Sequence, residues 1–270
     1  MVTGSDNPVG RRAAQMLAAQ GGEVRAFVQV PPGAGASGTT AEDDPTTTML
    51  RGLRCKVARG HLDDEAHVET ALEQVHTVLH LLGRPTDDPD AYLERTATVI
   101  GAAIGAGCRR LVLLSDLAVG GSADGNAWIK ALTEAEAMAS DAPMESVVLR
   151  CAVVHGRDDV QSTAIAAGAL GPDPAGAHWP VSAGDVATAA VLADAERDLD
   201  SSLHVVVSLV GPVRMATAEY AAALRDLIPA GEGDRLPDHA LDLLTRTIEA
   251  PLDAMGGTGT PVAAAYVSQG

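Results

Sequence analysis

Thr3-Gly4-Ser5-Asp6-Asn7-Pro8-Val9-Gly10 stands between a short apolar run, Met1–Thr3, and a segment, Arg11–Gln20, whose Ala13, Ala14, Leu17 and Ala18 recur at helical spacing. Strand, glycine-bearing turn and helix are the parts of a phosphate-binding loop, in the right order. Gly4 permits a tight turn out of the strand, and Gly10 lets the helix lie close against it. The free N–H groups and the dipole at the helix start favour an anion such as a pyrophosphate. An ordinary strand-to-helix turn can contain the same glycines, so the loop must be read with its surroundings.

Working outward, strands alternate with helical patterns. Glu23–Val28 reads as a second strand, Leu53–Ala58 as a third, Thr77–Leu82 as a fourth, Leu111–Ser115 as a fifth and Ser146–Val154 as a sixth; Leu203–Leu209 is a late strand. Between them fall helical stretches at Glu65–Gln74, Asp90–Ala106, Trp128–Ser140, Asp185–Ala195 and Thr217–Leu227. This alternation predicts an α/β fold, a doubly wound parallel sheet of the Rossmann type. Residues 1–156 are expected to form the dinucleotide-binding core and 157–270 a smaller substrate-covering part. Residues 31–48, rich in Gly, Pro, Thr and Asp, read as a mobile insertion. Asp238–Ala250 is amphipathic, with Gly231, Gly233, Gly256 and Gly257 around it; it is either a helical lid spanning 231–257 or a plain docked helix. Met1–Thr3 is short for a central strand, and the sequence leaves open whether the natural chain begins further upstream.

Composition narrows the function. The chain has 270 residues with 46% hydrophobic ones, enough for a sizeable core, yet a single Phe; the core must be built from Ala, Val and Leu. A net charge of -17 repels phosphate backbones, so no nucleic-acid partner is expected. Cys55, Cys108 and Cys151 are odd in number and widely spaced, which argues against a disulfide framework and against a metal site. With no signal peptide before the first strand and no apolar run of membrane-spanning length, the cytoplasm is the expected compartment and no membrane partner is expected. The oligomeric state cannot be read.

Several further segments carry a family resemblance. The loop resembles the Thr-Gly-x-x-Gly-x-x-Gly of extended and NmrA-like short-chain dehydrogenases/reductases, with Asn7 in place of the middle Gly; Asn tolerates positive φ better than other residues. Gly60-His61-Leu62-Asp63-Asp64, His80-Leu81-Leu82-Gly83 and Leu149-Arg150-Cys151-Ala152-Val153-Val154-His155-Gly156 resemble later motifs of that family. So do Trp179-Pro180-Val181 with Asp185-Val186-Ala187, and Gly211-Pro212 with Glu219-Tyr220-Ala221. The resemblance implies that Gly4, Ser5, Asp6, Asn7, Pro8, Val9, Gly10, Arg11, Gln29, Leu62, Leu82, Gly83, Cys151, Ala152 and Val153 bind a nicotinamide dinucleotide. Strand two ends at neutral Gln29 rather than at the carboxylate that would select NAD, while Arg11 and Arg12 stand just past the loop. Guanidinium groups there suit a 2′-phosphate, which favours NADP(H) over NAD(H). Both arginines also fit a solvated helix face.

The catalytic set that the resemblance implies is missing. Family members use a Tyr to donate the proton, a Lys four residues later, and a Ser or Thr after strand five. Here Ala127-Trp128-Ile129-Lys130-Ala131-Leu132 puts Trp128 at the Tyr and Leu132 at the Lys, and Asp116 takes the Ser position. A shift of two residues would instead pair Asn126 with Lys130. Trp offers a non-titrating N–H and Leu nothing. Ser115, Asp116 and His155 remain as candidate catalytic groups; each also has a structural reading, as a turn cap or a strand-end residue. Trp128, Trp179, Leu241 and Leu244 are candidate substrate-binding residues. The chain resembles antibiotic-tailoring members of the family, which implies a ketoreductase acting on an aromatic polyketide ketone, angucyclinone-like. Protonation would be assisted by the substrate's own phenol. The alternative is a catalytically silent NmrA-like NAD(P) sensor.

Overall fold

The computed structural model describes residues 1–30, 45–121, 125–195, 204–228 and 235–248. Seven strands form one sheet: β1 (Val2–Thr3), β2 (Arg25–Gln29), β3 (Lys56–Gly60), β4 (Thr77–His80), β5 (Arg110–Asp116), β6 (Glu145–Cys151) and, after three short strands described below, β10 (His204–Leu209). Their order is β3-β2-β1-β4-β5-β6-β10, and every pairing is parallel. The chain runs outward from β1 to β3 and then returns to build the other side from β4. The β1/β4 boundary is therefore the switch point, and a crevice opens beyond the strand ends there. This is the expected doubly wound α/β architecture.

The buried strands read as continuous apolar runs because both faces of the sheet are covered. One face carries α1 (Pro8–Ala19), α2 (Pro45–Gly52) and, later in the chain, α7 (Ala183–Ala195), packed through Ala13, Ala14, Leu50, Val186 and Ala190. The other carries α3 (Glu65–Leu72), α4 (Pro89–Gly105) and α5 (Ala127–Asp141), packed through Leu72, Val99, Ala103, Ile129 and Ala135. Small residues dominate these seams, so the near-absence of aromatics is met by close helix–sheet approach. Side-chain caps start the helices. Asn7, Asp64, Asp88 and Asn126 accept N–H bonds at the starts of α1, α3, α4 and α5, and Pro stands in the first turn of α1 and α4.

A third cluster joins α6 (Val160–Ala166), α8 (Thr217–Leu227) and α9 (Asp238–Thr245) through Ile165, Tyr220, Leu224, Leu236 and Leu244. Short strands flank it: β7 (Val154–His155) pairs with β9 (Val181–Ser182), and β8 (Ala177–His178) with β11 (Met215–Ala216). The sequence pattern missed α6 and these strands, which are too short to show a period. The core sheet also takes β10 from beyond residue 156, and α7 packs on α1.

Two expectations need correction. Residues 45–48 belong to α2 rather than to an insertion; 31–44 lie outside the described residues. The amphipathic segment from Asp238 ends its helix at Thr245, not Ala250, and is docked. Leu244 O accepts bonds from His178 Nε2 (2.9 Å) and Thr217 Oγ1 (3.0 Å), and Asn126 Nδ2 reaches Asp242 Oδ2 at 2.8 Å. Just past the helix, Ile248 N donates to Ala177 O at 3.0 Å. The glycines at 231, 233, 256 and 257 and residues 249–250 lie outside the described residues.

Candidate functional site

A cleft opens at the carboxyl ends of the central strands, between the Rossmann core and the α6–α8–α9 cluster. Asn7, Pro8 and Val9 from the β1–α1 turn, Gly83 after β4, Ser115 and Asp116 at the end of β5, and Cys151–Val154 after β6 border it on the core side. Trp128 and Leu132 come from α5; Gln161, His178, Trp179, Leu243, Leu244 and Ile248 close the far side.

The β1–α1 turn is tightly built. Gly4 has φ +71°, and a Cβ on Gly10 would lie 2.2 Å from Gly4 O. Gly10 is thus excluded from carrying any side chain by backbone, before a ligand is considered. Asn7 does not take the positive φ expected of a Gly replacement. Its φ is -96°, and it serves as the α1 cap, Oδ1 accepting from Gly10 N (2.9 Å) while Nδ2 donates to Leu81 O (2.7 Å). Ser5 is buried, its hydroxyl donating to Val2 O. At the helix start, Asn7 N donates to Gly4 O, Pro8 has no N–H and Gly10 N is taken by the cap, so Val9 keeps the remaining unpaired N–H of the first turn.

Among the described residues, two buried side-chain atoms at this turn lack partners: the donor Arg11 Nε and the acceptor Asp6 Oδ1. A dinucleotide presents the matching groups, phosphate oxygens for the donor and ribose hydroxyls for the acceptor, so the turn fits one. The rest of the Arg11 guanidinium is engaged, Nη2 with Asp6 O (3.2 Å) and Nη1 with Asp158 (3.5 Å). Arg12 is exposed. Gln29 ends β2 opposite Gly60 and does not border the cleft.

Trp128 and Leu132 on α5, one helical turn apart, are both buried and both face the cleft, whereas Lys130 is exposed. Asn126, the other member of the shifted pairing, is the α5 cap and bridges to α9. Trp128 packs on Tyr92, ring centroids 4.8 Å apart, and is stacked 6.4 Å from His239. Glu136 continues the same face and was not singled out from the sequence. It accepts a bond from Ser115 Oγ (2.5 Å) and holds Arg150 through contacts of 2.6, 3.0 and 3.1 Å. The Ser115 hydroxyl is thus committed to Glu136.

Asp116 caps the following turn, Oδ1 accepting from Ala118 N at 2.8 Å. Burial, reinforced by nearby Glu136, pushes its carboxyl up to about 6 against the opposing Ala118 bond. Cys151 is buried, and burial with the Asp116 charge pushes its thiol well up, so it stays protonated. His155, a candidate acid, lies outside the cleft in β7; its ring is 6.4 Å from Tyr220, and burial lowers its pKa while Asp185 and Asp159 oppose that. Leu62 and Leu82 are core residues, and Leu241 packs on the α6–α8–α9 cluster with Leu243 taking its place at the cleft. Trp179 and Leu244 border the cleft as expected. Gln161, His178, Leu243 and Ile248 were missed, because only tertiary packing brings them there. Among the described residues, no group of His, Cys, Asp and Glu converges as for a metal ion, and no helix is long and apolar enough to cross a membrane.

This sheet, turn and crevice define a dinucleotide-binding α/β protein. Residues 4–195 match a family model described as NAD(P)H-binding, and the chain belongs to that family. Among solved structures it is similar to the UDP-glucose 4-epimerase of Thermus thermophilus in complex with NAD, with 20% identity, 97% of this chain and 93% of that one covered, and a TM-score of 0.64. It is similar also to a DesIV double mutant, a dTDP-glucose 4,6-dehydratase from Streptomyces venezuelae with NAD and DAU bound (15% identity, 99% and 96% covered, TM-score 0.64). The Bordetella bronchiseptica enzyme WbmH in complex with NAD+ matches likewise at 17% identity, 99% and 97% coverage and a TM-score of 0.64. No curated protein sequence matches. At these identities the likeness establishes the fold.

Proposed function

We propose that this protein is an NADPH-dependent ketoreductase acting on an aromatic polyketide ketone, angucyclinone-like, without a protein-borne Tyr/Lys pair. One observation carries the reading. In an NAD(P)H-binding fold, the two positions of α5 that face the cleft, where the proton donor and its lysine would stand, are the buried apolar pair Trp128 and Leu132. The bound nicotinamide supplies the hydride. The turn from Gly4 to Arg11, with Cys151–Val153, would hold the dinucleotide. Arg11 Nε and exposed Arg12 favour the 2′-phosphate. Of the part from residue 157 onward, the α6–α8–α9 cluster covers the substrate, with Trp179 and Leu244 flanking a planar ring system.

Trp128, Leu132, Leu243 and Leu244 exclude water from one side of the cleft, which strengthens hydrogen bonds inside it. On this reading no side chain there acts as an obligatory acid; Asp116 and Asp159, whose carboxyls burial pushes up, border the cleft, and Asp116 is the one that a variant tests below. Ser115 is bound to Glu136, and Asp116 to Ala118 N. Charge developing on the carbonyl oxygen is then met by a phenol of the substrate beside it, and water completes the protonation. An NmrA-like sensor, the second reading, draws on the same loss of the Tyr and Lys.

Single-turnover reduction of an aromatic polyketone, and of a companion lacking the neighbouring phenol, tests the reading. The phenol-bearing ketone should react far faster. Ser115→Ala, Asp116→Asn and His155→Phe should each lose less than about tenfold, whereas loss of a true general acid costs about 10²–10⁴. A thousandfold fall in one variant with cofactor binding intact would name that residue as the acid and end substrate assistance. NADPH binding without reduction of any ketone would favour the sensor. Tighter binding of NADH than of NADPH would overturn the cofactor preference.

A further inference from the structure

The polar end of the cleft carries a group that nothing above uses. Gln161 is only 5% exposed, and it borders the cleft from the first turn of α6. That turn is fixed: Asp159 Oδ2 accepts from Ser162 N (2.7 Å) and Ser162 Oγ (2.8 Å). Among the described residues the Gln161 amide makes no hydrogen bond within the protein, and the little exposure it keeps lies where it borders the cleft; it offers two donors and an acceptor there. Trp179, also at the cleft, adds a second buried donor without a partner, its Nε1–H. Trp128 and Leu132, which also border the cleft, offer mainly apolar surface and no titrating group. An amide held almost out of water with no protein partner is poorly satisfied, and buried polar groups are ordinarily paired. Its presence at a ligand cleft has a physical reason if a ligand completes it.

Resting on the ketoreductase reading, we propose that Gln161 is a specificity-determining residue that reads a neutral hydroxyl on the substrate, remote from the reacting carbonyl. The ligand class follows from the groups present. Gln161 and Trp179 are uncharged, and the charged residues of the lining, Arg84, Asp116 and Asp159, are engaged by Asp87, by Ala118 N and by Ser162, so the edge that Gln161 and Trp179 read is a hydroxyl or carbonyl. The amide can donate to and accept from one hydroxyl, while the apolar side takes the face of a ring. A hydroxylated aromatic ketone has both features.

The chain has two Trp residues, and both border the cleft, so quenching of intrinsic fluorescence reports its occupancy. The probes are 6-hydroxy-1-tetralone and 1-tetralone, titrated into the NADPH-loaded full chain. The wild type should bind the hydroxylated probe about tenfold more tightly, as one well-made hydrogen bond allows. Q161M should reduce that ratio to about one, leave the affinity for 1-tetralone unchanged, and melt close to the wild-type temperature because the amide makes no bond within the protein. Q161A should lose the same ratio, which guards against a poor fit of Met. A ratio that survives in Q161M, a clear fall in Tm, or binding of neither probe by the wild type would each overturn the inference. NADPH-dependent reduction of the aromatic polyketone by the same Q161M protein is measured separately and decides the ketoreductase reading by itself.

Discussion

The β1–α1 turn and the α5 wall face each other across one cleft and differ in what they retain. In the turn, Gly10 has a carbonyl oxygen where its Cβ would be, Asn7 holds the helix start and the next strand together, and an orphan donor and acceptor remain for a ligand. On α5, the residues facing the cleft are packed as core, with Trp128 against Tyr92 and His239 and no titrating group at the surface they form. The turn is thus constrained by backbone geometry, whereas the α5 wall is given over to apolar packing; on the proposed reading the first binds the dinucleotide and the second no longer handles a proton. Binding and proton transfer are separable properties of this fold, because one rests on a turn and the other on two side chains of a neighbouring helix.

The sharpest way to break this comparison is Gly10→Ala. A methyl 2.2 Å from Gly4 O forces the turn or α1 to move, at a cost of about 3 kcal/mol or more. NADPH affinity by calorimetry should fall more than tenfold, and Tm should fall as well. Unchanged values of both would mean that the turn is not constrained in this way.

A smaller loss is expected at the base of the α5 wall. Glu136→Leu removes the acceptor of Ser115 and the partner of Arg150, whose side chain is 28% exposed. Urea unfolding should show about 2 kcal/mol of destabilisation, less than for a fully buried pair because Arg150 reaches solvent. Glu136→Leu combined with Arg150→Met should recover much of it; a double variant no better than the single one would mean that the pair is not the source.

Asp116→Asn should act in the opposite direction. The folded carboxyl titrates at about 6, above its ordinary value of 3.8, so between these limits the unfolded chain loses its proton while the folded one keeps it. Wild-type stability should therefore fall, relative to the variant, as pH rises from about 4 to about 6, and level off above that. The difference should reach at most about 2 kcal/mol, read as Tm against pH. Parallel profiles would show that Asp116 is better solvated than its surroundings suggest.

The smallest effect is reserved for Lys130→Met. Lys130 is exposed on α5 and turned from the cleft, so NADPH affinity should stay within about twofold and stability within about 0.5 kcal/mol. A large loss of affinity would restore the shifted alignment and with it a lysine in the site.

The sequence by itself determined the alternation of strands and helices, the parallel α/β class and the position of the turn. Those depend on local signals: spaced apolar runs, Asn or Asp ahead of helices, and Gly4 and Gly10 at fixed places between a strand and a helix. It also placed Trp128 and Leu132 on one face, since a spacing of four is a property of any α-helix. What it could not determine was the state of each polar group, because that depends on partners distant in the chain. Asn7 was read as a substitute for a flexible glycine and is a cap tied to Leu81, 74 residues on. Ser115 was read as either a candidate catalytic group or a structural one and is held by Glu136. His155, beside the right strand, is turned toward Tyr220 instead of the cleft. The far wall shows the same limit. Gln161, Trp179 and Leu244 meet there because α6, a short strand end and α9 pack into one cluster, and no local period in the sequence records that packing.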